Sequence, residues 1–519
     1  MKRNHQITKA AVIIPPITDF YTTPHRFSAL GAGILGRLLE ANGIAVHFFN
    51  FPVKNSCKRT FPLPETLNYL APYIIPNETG RSTFFTHYYL FGPTVQECVQ
   101  EVLSVSPDII FVSCFAFCYA DSTIALCKEL KQALPNVSII TGGGGAAVHP
   151  AYFISSGSID YIVTGEAELS AIALIHYIRG DISDSTAIPN LITKESTIFP
   201  GFSKIFTNNS SLEPGYRISF NKNRLRIDLT ISRGCPLQCA FCSNHLCHGT
   251  EFRRVDEHKI NKLIFDISRS IPFEPTSVDI NFEDDNLLID SKFWFKVLYL
   301  FKEQFPRAHF FAENGLDYRL LTEEAASSLI RLGMAQFNLA IGNVNKDASD
   351  VLSRSSSFDH YDTLLTLFEN NSIPVISYFI AGFYNDNRGN IAENLHFLWK
   401  RTTLAGISMF YPVPGLRGFT DYLMFRTGEA IRCCGSSAFP WNKSIDTATL
   451  VTAFRLSRFI NLIKIRPHNP LEKELIGRSF EKKVLHTVVR FKKEKTIIEV
   501  PNQDHELAGM VLKNMQKFN

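Results

Sequence analysis

Apolar positions along the 519-residue chain fall into two alternating series separated by a polar stretch. In the first series, short apolar runs at 10–14 and 44–51 bracket an amphipathic segment, 28–42, that ends at Gly43. Run length and helical spacing predict strand, helix, strand. Residues 54–100, rich in Pro and aromatics, predict an irregular insertion with some helix. The alternation then resumes with a strand at 107–113, a helix at 120–133 and a strand at 137–141 that runs into four glycines. A strand at 159–163 ending in Thr164-Gly165-Glu166 and a helix at 169–178 complete the series. Strands alternating with helices predict a doubly wound, Rossmann-like α/β domain with a parallel sheet. Its ligand edge is the carboxyl edge of the strands, where the Gly-rich turns lie.

Residues 180–222 are rich in Ser, Thr, Asn, Pro and Gly and read as a linker. The second series starts at Arg224, with strands at 225–231, 277–282, 308–313, 336–341, 374–380 and 405–411. Helices fall between them at 256–269, 291–304, 322–332, 347–353, 359–370 and 388–400. Six βα-like units predict an open partial (β/α)6 barrel related to the TIM fold, with its site at the carboxyl ends of the strands. Beyond 415 the pattern changes: 448–463 reads as helix, and the basic stretch 482–500 as strands. The expected organisation is 1–180 Rossmann-like domain, 181–222 linker, 223–415 partial barrel and 416–519 a small α/β extension without an assigned role. No internal repeat or low-complexity tract is visible.

Composition narrows the function classes. Apolar residues make up 45% and charged residues 20%, and the 43 Phe supply cores and permit an apolar pocket. The net charge of +4 is small and dispersed, which argues against a nucleic-acid partner. The N-terminal apolar run stops at Pro15-Pro16, and no stretch approaches the roughly 18 apolar residues of a membrane span. A cytoplasmic protein without a membrane span is expected. Eleven Cys, an odd number in a long chain with no export signal, do not read as a disulfide framework.

Three of those Cys form the most informative motif. Cys235, Cys239 and Cys242 follow directly on a strand with C-x3-C-x2-C spacing. Gly234 permits a sharp turn and Pro236 resists immediate helix formation. A loop of this length can wrap three thiolates around one face of a cube. A 4Fe–4S cluster normally takes four Cys, so three leave one iron open to a small molecule. The competing reading is a closed zinc site with Cys247, His245 or His248 as fourth ligand, although no second C-x2-C knuckle is present.

With Phe241 as the aromatic, C-x3-C-x-Phe-C resembles the signature of the radical S-adenosylmethionine superfamily. The resemblance implies that the open iron chelates the methionine amino and carboxylate groups of S-adenosylmethionine. The reduced cluster then splits it to a 5′-deoxyadenosyl radical. Phe252-Arg253-Arg254 and the following helix resemble the family's first βα unit. Glu283-Asp284-Asp285-Asn286, at the end of strand 278–282, resembles the acidic turn that holds the methionine amino group, with Asp284 and Asp285 as its expected contacts; a helix-capping turn is the alternative. Asn343 stands where the family has a cofactor-contacting Glu, and offers hydrogen bonds without charge. Arg354 lies where the family often binds the methionine carboxylate, with a solvated surface Arg as the alternative. Gly382 ends its strand as in the family, implying close approach of the adenosine. Residues 408–415 look like the last barrel strand with its Pro-Gly exit.

The run 107–168 resembles the cobalamin-binding domain that precedes the barrel in one class of these enzymes. The resemblance implies a corrin whose nucleotide tail threads along the carboxyl edge of the sheet. Gly142, Gly143, Gly144 and Gly165 would admit the tail, Ser113 would hydrogen-bond it, and Glu166 and Ser28 join the expected contacts, Ser28 from the first loop over the corrin. The D-x-H-x-x-G motif is absent, so cobalt would be held without a protein His. His149 reads as structural, and Cys114 and Cys118 as apolar filler. The alternative is a Rossmann-like domain without a ligand.

Together the resemblances imply cobalamin-dependent C-methylation of an unactivated carbon in a small-molecule substrate. One S-adenosylmethionine methylates reduced cobalamin and a second generates the radical. The electron comes from an external donor such as a flavodoxin or ferredoxin. The alternatives are cyclisation or rearrangement without bound cobalamin, and a non-enzymatic cobalamin or cluster sensor. No catalytic side chain and no substrate is assigned.

Overall fold

In a computed structural model the described residues are 7–21, 29–56, 58–196, 204–352, 357–421 and 424–516. The first sheet is built from β1 (Lys9–Ile14), β2 (Ala45–Asn50), β3 (Ile109–Ser113), β4 (Ser138–Gly142), β5 (Tyr161–Val163) and β6 (Leu191–Ile192), in the spatial order β2-β1-β3-β4-β5-β6. Alternate residues of these strands enter two different cores. Ala11, Ile13, Ile110 and Val112 face one, and Ala10, Val12, Ile14, Ile109 and Phe111 face the other. Burial on both faces is why these strands read as continuous apolar runs. Helices Leu30–Ala41, Ala120–Ala133 and Ala167–Arg179 supply the cover. All pairings are parallel except that of β6, which runs antiparallel to β5.

The second unit consists of β7 (Gly215–Asn221), β8 (Arg224–Thr230), β9 (Ser277–Phe282), β10 (Ala308–Phe311), β11 (Phe337–Gly342), β12 (Val375–Ala381) and β13 (Leu404–Met409). The strands β8-β9-β10 and β11-β12-β13 form two parallel arcs. Isolated parallel bridges, Phe310 to Met334 and Leu316 to Leu339, join the arcs. This is the open six-stranded arrangement expected. Four of the intervening helices start on side-chain caps: Asp290, Thr322, Asn345 and Asn387 each accept a backbone N–H of the first turn.

Two expectations are corrected. The stretch 181–222 is not a plain linker. It contributes β6 to the first sheet and β7, antiparallel to β8, to the edge of the second. These strands are short or carry polar residues on an edge, so neither gives an apolar run. The C-terminal stretch is not set apart either. Helix Thr447–Lys464 shares one core with the barrel, in which Leu450, Leu456 and Phe459 join Leu339 and Phe379. Its Arg455 forms a buried ion pair of 2.6 Å with Glu78 from the insertion, and Thr487 of the terminal hairpin His486–Phe491/Glu494–Glu499 donates to the same carboxylate. Among the described residues no helix is long and apolar enough to cross a membrane.

Candidate functional site

The Cys loop leaves β8 through Ser232–Arg233, which pair antiparallel with Arg253–Arg254. Gly234 has φ +86°, and a Cβ there would collide with the Glu251 carbonyl oxygen. Only Gly lets the loop return this tightly. Asp284 Oδ1 accepts from Ile231 N (3.0 Å), Ser232 N (2.6 Å) and Ser232 Oγ (2.6 Å). Asp285 Oδ2 accepts from Gly234 N (2.8 Å) and meets His248 Nδ1 at 2.8 Å, while its Oδ1 accepts from Asn244 Nδ2 (3.0 Å). The two carboxylates therefore hold the backbone just ahead of the thiols and, through the side chains of Asn244 and His248, the stretch after them.

Asp284 is, with Asp285, the residue expected to hold the methionine amine. It faces the loop rather than the cavity, and its Oδ2 is buried without a partner among the described residues. Burial pushes its carboxyl up to about 7. Burial would raise Asp285 too, but His248 and the Gly234 N–H outweigh it and hold it below the usual carboxylate range.

Cys239 is buried and Cys235 and Cys242 are half-buried. Burial, then the negative potential of Cys239, Asp285 and Cys235, pushes the Cys242 thiol up to about 11. Cys235 is raised for the same reasons. A cationic iron centre is what converts such neighbouring thiols to thiolates. The side chains do not converge: among the described residues no group of three or more His, Cys, Asp or Glu stands at metal-holding distance. The zinc alternative gains no ligand set, since His248 is engaged with Asp285 and Cys247 Sγ points at the Gly144 carbonyl, 4.0 Å away. Phe241 packs against the apolar cluster of Cys114 and Phe117 in the N-terminal unit.

Other expected contacts are engaged within the protein. Asn343 Oδ1 accepts from Asn394 Nδ2 (2.9 Å) and Asn345 N (3.0 Å), is buried and does not reach the cavity. It ties the exit of β11 to helix Arg388–Trp399. Gly382 also lies off the cavity: a Cβ there would lie 3.1 Å from Leu450, so the close approach it permits is to helix Thr447–Lys464. Arg354 and Ser28 lie outside the described residues.

At the carboxyl edge of the first sheet, Ser113, Gly142, Gly143, Gly144 and Gly165 all line the cavity. Their small size is also demanded internally. Gly143 has φ +91° and a Cβ there would lie 2.6 Å from the Cys114 carbonyl oxygen; one on Gly144 would lie 2.9 Å from that of Phe115. A Cβ on Gly165 would collide with the Asn190 side chain. Glu166, expected as a cofactor contact, is spent on an ion network. It accepts from Thr207 N (2.7 Å) and Oγ1 (2.5 Å) and pairs with Arg253 (2.8 Å) and Arg233 (3.2 Å). Burial alone would raise its carboxyl; Arg253, Arg233 and Thr207 outweigh that and hold it at about 2. Arg233 also meets Glu168 at 2.8 Å. The network latches the sheet edge to the Cys loop. His149 is buried against Phe117, ring centroids 5.7 Å apart, and Cys114 and Cys118 are buried, in keeping with their structural readings.

Between the sheet edge and the Cys loop lies a cavity of about 1210 Å³ that continues into the barrel lumen. In the lumen, Asn281 Nδ2 donates to Asp228 (3.2 Å), Asn281 Oδ1 accepts from Glu313 N (3.0 Å), and Arg226 grips the Glu313 carboxylate at 2.8 and 3.1 Å. Glu283, the first residue of the acidic turn, lines the cavity; sequence reasoning missed Glu313 as a second such carboxylate. It also missed Tyr411, Cys433 and Cys434, which lie beyond the last barrel strand and line the same space. The one available signal was position: Glu283, Glu313 and Tyr411 each follow within two residues of a barrel strand's carboxyl end.

No family model matches the chain. Among curated proteins it is 21% identical over 269 residues to bacteriochlorophyllide d C-12(1)-methyltransferase of Chlorobaculum tepidum, covering 50% of this chain and 57% of that protein. It is 23% identical over 262 residues to the hopanoid C-3 methylase of Methylococcus capsulatus, covering 48% of each. It is 23% identical over 185 residues to the cobalamin-dependent radical SAM methyltransferase TokK of Streptomyces tokunonensis, covering 33% of this chain and 27% of that protein. The chain thus spans little more than half the length of these relatives, or less. Among solved structures, the radical S-adenosylmethionine methyltransferase TsrM of Kitasatospora setae, with cobalamin and a [4Fe-4S] cluster bound, superposes with TM-score 0.55 at 13% identity. That match covers 79% of this chain and 74% of that one. The cobalamin-dependent radical enzyme OxsB with aqua-cobalamin bound superposes with TM-score 0.53 at 13% identity, covering 83% and 57%. The chain has the fold of the cobalamin-dependent radical S-adenosylmethionine enzymes and is, in sequence, a distant relative of their methyltransferases.

Proposed function

We propose that this chain is a radical S-adenosylmethionine enzyme that methylates an unactivated carbon of a small molecule. It would hold a 4Fe–4S cluster on Cys235, Cys239 and Cys242 and a cobalamin at the carboxyl edge of the first sheet. The observation that carries this reading is the single cavity onto which both the Gly-rich edge and the Cys loop open. When bound, such a cluster and corrin supply an electron for cleaving the sulfonium and a transferable methyl group.

The chain's own residues do the positioning. Asp284 and Asp285 set the backbone of the Cys loop. The lining carboxylates Glu166, Glu168, Glu283, Asp285 and Glu313 outnumber the guanidiniums paired with them, Arg226, Arg233 and Arg253. That surplus of negative charge suits a cationic sulfonium and ammonium. The Glu166–Arg253 latch keeps the two halves in one register, which transfer over near-contact distances requires. Reduction is assigned to an external flavodoxin- or ferredoxin-class donor.

The test is anaerobic reconstitution with iron and sulfide, then incubation with S-adenosylmethionine and a strong reductant. Formation of 5′-deoxyadenosine, lost in Cys239→Ala, supports the radical reading. A saturable absorbance shift on titrating hydroxocobalamin supports the corrin. An iron-loaded protein that yields no 5′-deoxyadenosine overturns the first, and an unshifted corrin spectrum the second.

A further inference from the structure

The charge around the cavity is one-sided. Its carboxylates and guanidiniums come from the start of helix Ala167–Arg179, the Cys loop and the barrel strands. The end bounded by Tyr21, residues 111–119 and residues 411–435 contributes no charged side chain to the lining. Here Phe115 and Tyr119 lie with ring centroids 5.1 Å apart. Tyr21, Phe115 and Cys434 pack on the buried group of Ile17, Phe91, Cys118 and Tyr119. Tyr411 lines the same end and leaves 43% of its surface free. Aromatic surface held open inside a cavity is the kind of wall that an apolar ligand covers with gain.

This wall is fastened in place. The segment after β13, which carried no assignable role in the sequence, is tied to the N-terminal half at five points. Tyr152 Oη donates to the Arg426 carbonyl (3.3 Å) and Gly428 N donates to Asp121 (3.2 Å). Arg432 Nε donates to the Thr66 carbonyl (3.2 Å) and Tyr69 Oη to that of Ser437 (2.9 Å). The fifth tie bears on the cavity directly. The buried Asp19 accepts from Ser436 Oγ (2.6 Å) and from Tyr119 Oη (2.7 Å), and Cys434 Sγ lies 3.2 Å from Ser436 Oγ. One carboxylate thus fixes the wall residue Tyr119 and the serine that follows the lining Gly435, which is how a selective pocket keeps its shape.

We propose that Tyr411, Val413 and Cys433–Gly435 form the substrate-selecting wall of this cavity, and that the substrate presents to Tyr411, Tyr119 and Cys434 an uncharged, apolar ring framework. The proposal rests on the function proposed above and adds the class of substrate to it.

The test uses the full chain, loaded with cluster and hydroxocobalamin, in equilibrium dialysis against three naphthalene probes of like shape. These are neutral 1-naphthalenemethanol, anionic 1-naphthoate and cationic 1-naphthylmethylammonium. The neutral alcohol is expected to bind at least about tenfold more tightly than either ion. Cys434→Arg and Tyr411→Asp are each expected to weaken the alcohol by at least about tenfold, and Tyr411→Phe to stay within about threefold. Iron content and melting temperature report whether each variant folds, and the charge series on the unsubstituted chain needs no variant. The proposal is overturned if either ion binds as tightly as the alcohol, if folded Cys434→Arg binds it unchanged, or if the alcohol binds only when hydroxocobalamin is left out. Absence of 5′-deoxyadenosine from the unsubstituted enzyme would sink the radical reading while leaving the dialysis result standing, so the two failures are distinguishable.

Discussion

The Glu166 carboxylate lies 2.8 Å from the Arg253 guanidinium, and both side chains are only 4% exposed. The pair joins the start of helix Ala167–Arg179 to the strand that returns from the Cys loop. Removing one member leaves the other charge buried and unpaired. Glu166→Ala is therefore expected to cost about 3–5 kcal/mol, read from the denaturant midpoint. Glu166→Ala combined with Arg253→Met should recover part of that loss.

The same residue sets a pH dependence. Its carboxyl is held at about 2, below the ordinary value of 4.5. A depressed acid stabilises the fold fully above its unfolded pKa, and the contribution is lost as pH falls through the folded value. Stability should therefore fall between about pH 4.5 and pH 2. The slope should be shallower in Glu166→Ala, measured by urea unfolding at a series of pH values.

Asp285 makes three bonds to the Cys loop, to Gly234 N, Asn244 and His248. Asp285→Ala should leave the protein folded but loosen the loop. By the usual effect of losing a residue that orients metal ligands, iron affinity should drop by roughly 10–100-fold. Iron and sulfide content after anaerobic gel filtration reads this directly. Retention equal to the unsubstituted protein would show that the loop does not depend on this carboxylate.

Two cavity-lining glycines should respond in opposite directions. At Gly143, φ is +91° and an added Cβ meets the Cys114 carbonyl at 2.6 Å, so Gly143→Ala should destabilise by about 1–3 kcal/mol. At Gly31, within helix Leu30–Ala41, an added Cβ finds nothing within 4 Å. Gly31→Ala should stabilise by up to about 1 kcal/mol through helix propensity. Thermal melting of the two variants side by side is the measurement.

Arg455 and Glu78 join helix Thr447–Lys464 to the insertion with side chains 4% and 0% exposed. Arg455→Leu should cost about 3–5 kcal/mol, because Glu78 keeps its burial and loses its partner. Chemical denaturation should show the loss, and an unchanged midpoint would mean that this contact is dispensable to the fold.

What the sequence determined by itself is local. Strand Ser277–Phe282 and helices Ala120–Ala133, Ser291–Gln304 and Asp359–Asn370 begin and end where apolar periodicity predicts. The Cys spacing and the glycine of its turn were equally legible, because a motif within a few residues carries its own geometry. Tertiary structure decided which polar groups face the cavity. Glu166 and Arg253 are 87 positions apart, and Asn343 and Asn394 are 51 apart. No local pattern says whether such a side chain meets a ligand or a distant partner of opposite charge. Tyr411, Val413 and Cys433–Gly435 became a wall only because Asp19, Thr66 and Asp121, far away in the chain, supply bonds to Ser436, Arg432 and Gly428 beside them. Periodicity records which face of an element is buried; it carries no record of what lies across the gap, and that is where the chemistry of this site is set.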